Sequence, residues 1–197
     1  MLWRGTPLLR RAALAALESR SDAVAVVLGC ERRAIEPTLA GLGLELLEND
    51  AWQEGVGSSV RVAASWAIER ELRALVLVVA DQPRLEPEHL DRLLAAHEGG
   101  AQLVASRYAG ALGTPALFGR ASFPALARLA GDRGARGLLV EGPGTAVLDW
   151  PGGAVDVDDD ADLARLLAAE PETEASPGLE SGALDAAGAR SAKIWRS

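Results

Sequence analysis

Acidic residues in two short strings of this sequence could together hold a metal ion. Asp81 follows the apolar run of residues 74–79, while Asp156 and Asp158 are separated by one residue. Ligands of open α/β sheets bind at the carboxyl ends of strands, and side chains two positions apart in a strand point to one face. This pattern predicts a magnesium site that Asp81 shares with Asp156 or Asp158. The alternatives are an Asx turn at Asp81 and a solvated acidic loop that caps the last helix.

A string rich in glycine and serine at residues 55–61 could bind an anion or the polar edge of a base. It leads into a predicted helix, so backbone N–H groups, the positive helix end and two hydroxyl groups can face a ligand. The alternative is a flexible loop in which Ser58 caps the helix. The candidate nucleotide-binding residues are Gly55, Gly57, Ser58, Ser59 and Arg61.

Two further strings contain candidate ligand-binding residues. Arg133 and Arg136 stand three residues apart, a spacing that places both guanidinium groups on one side of a helix and suits a phosphate or a carboxylate. The alternative is a turn in which both arginines pair with acidic residues. Gly113 and Pro115 belong to a Gly-Thr-Pro string that predicts at least a tight turn before the strand-like residues 116–118.

The elements that must position these residues alternate between short apolar runs and segments of helical periodicity. This alternation predicts an α/β domain with a mostly parallel sheet covered by helices. Strands are predicted at residues 23–28, 44–47, 74–79, 103–105, 145–148 and 154–157, and helices at residues 7–20, 58–72, from Pro87, 121–129 and 160–168. His89 and His97 fall on the helix that begins at Pro87 and are interpreted as surface or packing residues; like Cys30, they receive no catalytic role.

The composition excludes several classes of protein. The chain has 197 residues, a formal charge of −8 and a pI near 4.9, whereas a nucleic-acid-binding domain would carry a basic surface. No apolar stretch approaches the ~18–20 residues of a membrane span. Cys30 is the only cysteine, so neither an internal disulfide nor a structural zinc site is expected. We therefore expect one cytoplasmic domain, a monomer, with neither nucleic acid nor membrane as a partner.

Five strings in a fixed order make this sequence resemble the molybdenum cofactor cytidylyltransferase group of the nucleoside-triphosphate transferase superfamily. They are residues 55–61, 80–83, 113–118, 131–136 and 156–158. The resemblance, from about Trp3 to about Leu167, implies a three-layer sandwich around a Rossmann-like central sheet of the nucleotide-diphospho-sugar transferase type. The family's magnesium motif Gly-Asp-Gln-Pro is matched here with Ala80 in place of glycine, which narrows backbone freedom beside the metal.

The same resemblance implies transfer of CMP from CTP to the terminal phosphate of a molybdopterin-type cofactor, with release of pyrophosphate. It also implies a partner in molybdoenzyme maturation. It assigns Asp81, Arg133 and Arg136 to catalysis, Asp81, Asp156 and Asp158 to Mg²⁺, residues 55–61 to the base and ribose, and Gly113 and Pro115 to the acceptor. The alternatives are transfer of GMP or another nucleotide to a different phosphorylated acceptor, and a non-catalytic remnant that binds a nucleotide or a partner protein.

The resemblance also bears on both ends of the chain. The family opens with a central strand and a Gly-rich loop that carries arginine and lysine and holds the triphosphate, and residues 1–9 match the segment that comes after that loop. We therefore expect an amino-terminally truncated domain at residues 1–169, with the first strand missing and with poor CTP binding. From Glu170 onward the periodicity fades, which predicts a disordered or loosely attached tail at residues 170–197 whose removal leaves stability nearly unchanged.

Overall fold

A seven-stranded sheet between two layers of helices lies at the centre of the computed structural model, which describes residues 1–142, 144–169 and 191–196. The strands are β1 (Leu2–Trp3), β2 (Thr6–Pro7), β3 (Ala23–Leu28), β4 (Glu45–Glu48), β5 (Ala74–Leu77), β6 (Leu103–Tyr108), β7 (Ala111–Gly119), β8 (Ala146–Asp149) and β9 (Ser191–Arg196). The α-helices are α1 (Leu8–Glu18), α2 (Arg32–Ile35), α3 (Val56–Glu69), α4 (Pro87–Glu98), α5 (Phe123–Leu126), α6 (Arg136–Glu141) and α7 (Asp160–Ala169).

The sheet is mixed and mostly parallel, in the order β4-β3-β9-β5-β7-β6-β8. Strand β7 is antiparallel to both of its neighbours, β5 and β6, and the remaining pairs are parallel. The short strands β1 and β2 form a separate antiparallel pair before α1. The parallel strands β3, β5 and β9 therefore place their carboxyl ends at one edge of the sheet, where ligands of such sheets bind.

Side chains of the buried strands alternate between two cores, one on each face of the sheet. Val24, Val26 and Leu28 belong to the core that contains the apolar faces of α1 and α4. Ala25 and Val27 belong to the core that contains α3, α5 and α6. Because β3 is buried on both faces, its sequence is apolar at every position rather than at every second one.

The carboxyl-terminal strand corrects the expectation for part of the predicted tail. Residues 191–196 form β9, which lies between β3 and β5 and places Ile194 in register with Ala25 and Leu77. Strands β3 and β5 lie on either side of β9, and both need a partner for their ladder hydrogen bonds on that side. Strand β9 is this partner. The rest of the predicted tail, residues 170–190 and Ser197, lies outside the described residues.

Two other predicted elements differ from the structure. The predicted strand at residues 154–157 is absent, because Pro151–Ala154 form a 3₁₀ turn and residues 155–158 continue without regular structure. Two glycines and a proline in that turn explain its departure from the sheet. The helix predicted at residues 121–129 shortens to a 3₁₀ turn followed by α5. None of the helices in the described part of the chain is both long and apolar enough to cross a membrane.

Candidate active site

Two cavities open at the edge of the sheet where the carboxyl ends of the parallel strands lie, next to the end of β5. The first, which we call the Asp81 cavity, has a volume of about 570 Å³. The second, the Tyr108 cavity, has a volume of about 250 Å³. Val79 lines both cavities, so they adjoin on either side of the chain that leaves β5. The Asp81 cavity is lined by Met1, Pro7, Leu8, Leu9, Ala34, Ile35, Thr38, Val79, Ala80, Asp81, Val157 and Asp158.

The loop that carries Asp81 is fixed by contacts from distant parts of the chain. The Val157 amide donates a hydrogen bond of 2.9 Å to the Asp81 carbonyl oxygen. Arg11 in α1 donates a bond of 3.3 Å from Nη2 to the Pro83 carbonyl oxygen, and its guanidinium carbon lies 4.1 Å from the ring centroid of Trp3. The backbone that carries Asp81 is therefore held at the carbonyl groups of Asp81 and Pro83.

The acidic segment, residues 156–158, lies beside this loop, but only one of its two candidate metal ligands lines the Asp81 cavity. Val157 is completely buried in a small core with Trp3, Leu8 and Leu166, and both neighbouring aspartates are exposed. Of the two, Asp158 lines the Asp81 cavity. No cluster of three His, Cys, Asp or Glu side chains suited to a metal ion occurs among the described residues. The structure thus brings Asp81 and Asp158 to one cavity without assembling all three predicted ligands.

The Tyr108 cavity gathers residues from three of the predicted strings. Ser59 comes from the first string, Gly113 and Thr114 from the third, and Gly134 and Arg136 from the fourth. Most of the remaining lining is apolar, contributed by Val56, Val60, Leu77, Val78, Val79, Tyr108, Ala111, Leu112, Ala116, Phe118, Ala135 and Leu139. An apolar wall with a few convergent polar groups is typical of a site for a ring-containing ligand.

Three residues of the predicted nucleotide-binding string, Gly55, Gly57 and Ser58, make close contacts within the protein. Gly55 has φ of 99°, and a Cβ atom on Gly57 would stand 3.0 Å from the backbone of Ala130, so both glycines allow close approach to the loop at residues 130–132. The Ser58 hydroxyl donates to the Gly55 carbonyl oxygen at 2.7 Å and accepts a bond of 2.8 Å from Asn49. Both of these Ser58 bonds are made within the protein, at the start of α3.

Arg61, one turn into α3, also contacts the protein rather than either cavity. Its guanidinium donates to the Leu129 carbonyl oxygen at 2.8 Å and to the Glu54 carboxylate at 2.5 Å. Arg61 lines neither the Asp81 cavity nor the Tyr108 cavity. Within the string, Ser59 is the polar side chain that lines the Tyr108 cavity, although it also accepts a bond of 3.0 Å from Asn49.

The two candidate arginines do not share a helix face. Residues 131–135 form a turn, and Arg136 is the first residue of α6, so the helical spacing expected from the sequence is absent. Both arginines are exposed, but Arg136 lines the Tyr108 cavity and Arg133 lines neither cavity. The glycines in the turn before α6 account for this difference, because glycine favours turns over helix.

Gly113 and Pro115 flank Thr114 at a bulge of β7, and of these two residues Gly113 lines the Tyr108 cavity. A Cβ atom on Gly113 would collide with the Tyr108 hydroxyl, so glycine permits the close approach of that ring. The Thr114–Pro115 peptide bond is cis. Gln82, the residue after Asp81, donates from Nε2 to the Thr114 carbonyl oxygen at 3.1 Å. The third predicted string is thereby tied directly to the Asp81 loop.

His89 and Asp149, near this edge, both have lowered pKa values. Burial, followed by the positive charge of Arg92, lowers the pKa of His89 to about 4, so this residue is neutral at pH 7. His89 is 4% exposed and stacks on Trp150 with ring centroids 4.7 Å apart. Hydrogen bonds from Arg107 hold the pKa of Asp149 below its usual value, but both groups are exposed and their ion pair contributes little to stability.

Comparisons with known proteins agree on the type of domain. The family model of the MobA-like NTP transferase domain matches residues 1–145. The purine catabolism protein PucB of Bacillus subtilis strain 168 is 33% identical over 138 residues, and the aligned part covers 64% of each chain. Rv0371c from Mycobacterium tuberculosis H37Rv, solved in complex with manganese, has 28% identity and a TM-score of 0.72, covering 85% of this chain and 90% of its own.

A more distant structure supports the fold alone. A nucleotidyl transferase from Methanothermobacter, Mth528, has a TM-score of 0.68 with 19% identity, covering 84% of this chain and 81% of its own. Together with the sheet and its two helical layers, these likenesses confirm the predicted three-layer fold of the nucleotide-diphospho-sugar transferase type.

Proposed function

Because the chain belongs to the MobA-like NTP transferase domain family, we propose that it transfers a nucleotidyl group from a nucleoside triphosphate to a phosphorylated acceptor. The donor we propose is CTP, and the acceptor is the terminal phosphate of a molybdopterin-type cofactor, with maturation of a molybdoenzyme as the purpose. The observation that carries the proposal is the pair of adjoining cavities at the end of β5, with Asp81 in one and Ser59 and Arg136 in the other. Such a reaction belongs in the cytoplasm, where nucleoside triphosphates are abundant.

In the proposed reaction, an oxygen of the acceptor phosphate attacks the α-phosphorus of CTP. The bond between the α-phosphorus and the bridging oxygen of the β-phosphate breaks, and pyrophosphate leaves with that electron pair. The acceptor is already a nucleophile, so no covalent enzyme intermediate is needed. The protein's task is to align the two substrates and to meet the charge that develops on the phosphates.

The Tyr108 cavity fits one ring system rather than two substrates. Its volume of about 250 Å³ lies below the ~300–1,000 Å³ of usual ligand sites. Apolar walls can cover a flat ring, while Ser59 and Arg136 orient its polar edge or a phosphate. The larger Asp81 cavity, of about 570 Å³, is then left for the phosphates.

Carboxylates in the Asp81 cavity fit a divalent ion that arrives with the nucleotide. Asp81 and Asp158 would hold it, and magnesium usually binds through one or two carboxylates together with substrate phosphates. Such an ion, when bound, would neutralise negative charge on the substrate phosphates and on the leaving pyrophosphate. No lysine or arginine occurs among the described residues that line this cavity, so nucleotide binding there should depend strongly on the metal.

The test is an assay of the purified protein with CTP, GTP, ATP or UTP, each with Mg²⁺ or Mn²⁺ and with molybdopterin as the acceptor. Release of pyrophosphate and formation of the cytosine dinucleotide of the cofactor, fastest with CTP, are the expected results. Faster transfer from GTP would show that the preferred donor is GTP rather than CTP. It would not contradict nucleotidyl transfer itself. Nucleotide binding without turnover under all of these conditions would favour the non-catalytic alternative.

A further inference from the structure

The bulge in β7 leaves two backbone carbonyl groups without partners from the strand ladder. Ala105 pairs with Ala116, but the next residue, Ser106, pairs with Gly113, so residues 114 and 115 have no counterpart on β6. A buried carbonyl without a hydrogen bond is costly, and a bulge of this kind is stable only when other donors replace the ladder. Because Gly113 and Thr114 line the Tyr108 cavity, the shape of the bulge is also the shape of one cavity wall.

Gln82 supplies the donor for the first of these carbonyl groups. Its side-chain Nε2 lies 3.1 Å from the Thr114 carbonyl oxygen and 3.2 Å from the Tyr108 hydroxyl. A carbonyl oxygen only accepts, so this contact fixes which end of the amide faces the bulge. Gln82 is 4% exposed. Because it directly follows Asp81 in the chain, its hydrogen bond to Thr114 links the bulge to the residue next to Asp81.

Ser106 and His89 serve the second carbonyl group. The Ser106 hydroxyl, fully buried, donates to the Pro115 carbonyl oxygen at 2.5 Å, which uses its one proton. His89 Nε2 lies 2.7 Å from the same hydroxyl oxygen and must therefore donate to it. The imidazole is held in place by its stack on Trp150, whose ring meets the Tyr108 ring edge-on at 6.0 Å.

We propose that Gln82 and His89 are positioning residues that set the shape of the bulge at residues 113–115, and thereby the distance of that cavity wall from Asp81. This inference rests on the proposed function and assigns the wall to the acceptor. Gln82 acts from the Asp81 loop and His89 acts through Ser106 from α4, so the bulge is held from two independent elements. Neither side chain lines the cavity, and neither is placed in contact with a substrate.

The variants that test this inference remove donors while keeping side-chain volume. Gln82→Met and His89→Leu lose the hydrogen bonds, whereas His89→Gln keeps an N–H donor at a similar reach. Gln53→Met is the matched control, because Gln53 is an exposed amide that lines neither cavity. For each variant, steady-state transfer is measured with CTP, Mg²⁺ and molybdopterin, and amide hydrogen exchange is followed in the peptide covering residues 111–119.

Gln82→Met and His89→Leu should lower kcat/KM for molybdopterin about tenfold or more, since small misplacements of a substrate cost rate steeply. The KM for CTP should change less than about twofold, because neither Gln82 nor His89 lines the Asp81 cavity, where the CTP phosphates are proposed to bind. Exchange in residues 111–119 should accelerate in both variants, and His89→Gln should restore both readouts toward the wild type. Gln53→Met should leave all of these readouts unchanged.

Equal losses in His89→Gln and His89→Leu, or unchanged acceptor kinetics in Gln82→Met, would overturn the inference and leave the proposed function intact. If the wild-type protein transfers no nucleotide, the proposed function fails. The exchange measurement then decides the positioning role: faster exchange at residues 111–119 upholds it, and unchanged exchange refutes it. If His89→Leu does not fold, Gln82→Met alone decides by the same criteria.

Discussion

The backbone amide of Val157 donates a hydrogen bond of 2.9 Å to the carbonyl oxygen of Asp81. This bond joins two strings that lie far apart along the chain. It places the acidic segment beside the Asp81 loop without any strand pairing. Because Val157 is buried, the two aspartates that flank it project outward, and only Asp158 lines the Asp81 cavity.

The first prediction concerns Asp81. Asp81→Asn should lower the rate of nucleotidyl transfer about 100-fold or more, because an amide binds a divalent cation far more weakly than a carboxylate. The thermal unfolding midpoint should change by only a few degrees. Asp50→Asn is the control, since Asp50 is an exposed carboxylate that lines neither cavity. Near-normal transfer by Asp81→Asn at saturating Mg²⁺ would refute the metal assignment.

A matched pair of aspartates tests which of them shares the ion with Asp81. Asp158→Asn should raise the Mg²⁺ concentration needed for half-maximal transfer, because Asp158 lines the Asp81 cavity. Asp156→Asn should leave that concentration nearly unchanged, because Asp156 is exposed and does not line the cavity. A Mg²⁺ titration of both variants checks this, and the reverse order of effects would contradict the placement of the segment.

A matched pair of arginines tests the Tyr108 cavity. Arg136→Gln should raise the KM of one substrate about tenfold, since a charge-assisted hydrogen bond is worth ~1.5–3 kcal/mol. Arg133→Gln should have little effect, because its side chain lines neither cavity. Steady-state kinetics with each substrate varied in turn show which substrate contacts Arg136. Equal effects of the two substitutions would mean that the turn before α6 rearranges on binding.

The lowered pKa of His89 predicts a stability change with pH. Burial and Arg92 lower this pKa to about 4 in the folded protein, whereas the unfolded chain keeps the ordinary value of 6.5. Between these values the unfolded state binds a proton that the folded state does not, so stability falls as the pH falls from about 6.5 to about 4. The full loss from this residue is about 3 kcal/mol.

Urea unfolding at pH 7 and pH 4.5 measures that loss, and His89→Gln removes the titrating group. The free energy of unfolding should decrease more steeply with acid in the wild type than in His89→Gln. Carboxylates contribute to both proteins, so the difference between them isolates His89. Parallel pH curves for the two proteins would show that His89 does not change its proton affinity on folding.

The position of β9 predicts that the end of the chain stabilises the fold. Ile194→Pro should reduce the free energy of unfolding by about 3 kcal/mol or more, because proline cannot donate a ladder hydrogen bond in a central strand. Ile194→Val, which keeps the N–H group and suits a strand, should cost less than about 1.5 kcal/mol. Equal stability of Ile194→Pro and the wild type would show that residues 191–196 are dispensable, as the sequence alone suggests.

The local sequence pattern was sufficient to predict strands β3 and β5 and the start of helix α4. The uninterrupted apolar runs predict β3 at Ala23–Leu28 with its bounds and β5 at Ala74–Leu77 with two further residues, since a strand buried on both faces needs apolar side chains throughout. Pro87 marks the start of α4 because the first helical turn tolerates a missing N–H group. Asp81 is a candidate at the sheet edge simply by its position after a buried strand.

Tertiary structure alone decided which neighbours in each string reach a cavity and which strand fills the centre of the sheet. Three pairs have similar chemistry in sequence, yet only the second of each pair lines the Asp81 or the Tyr108 cavity: Ser58 and Ser59, Arg133 and Arg136, and Asp156 and Asp158. A shift of one to three residues changes the direction of a side chain, and that direction depends on turns and bulges fixed by distant partners such as Gln82 and Val157. The pairing of β9 with β3 and β5 is likewise invisible locally, because ladder hydrogen bonds join backbone groups whatever the side chains are.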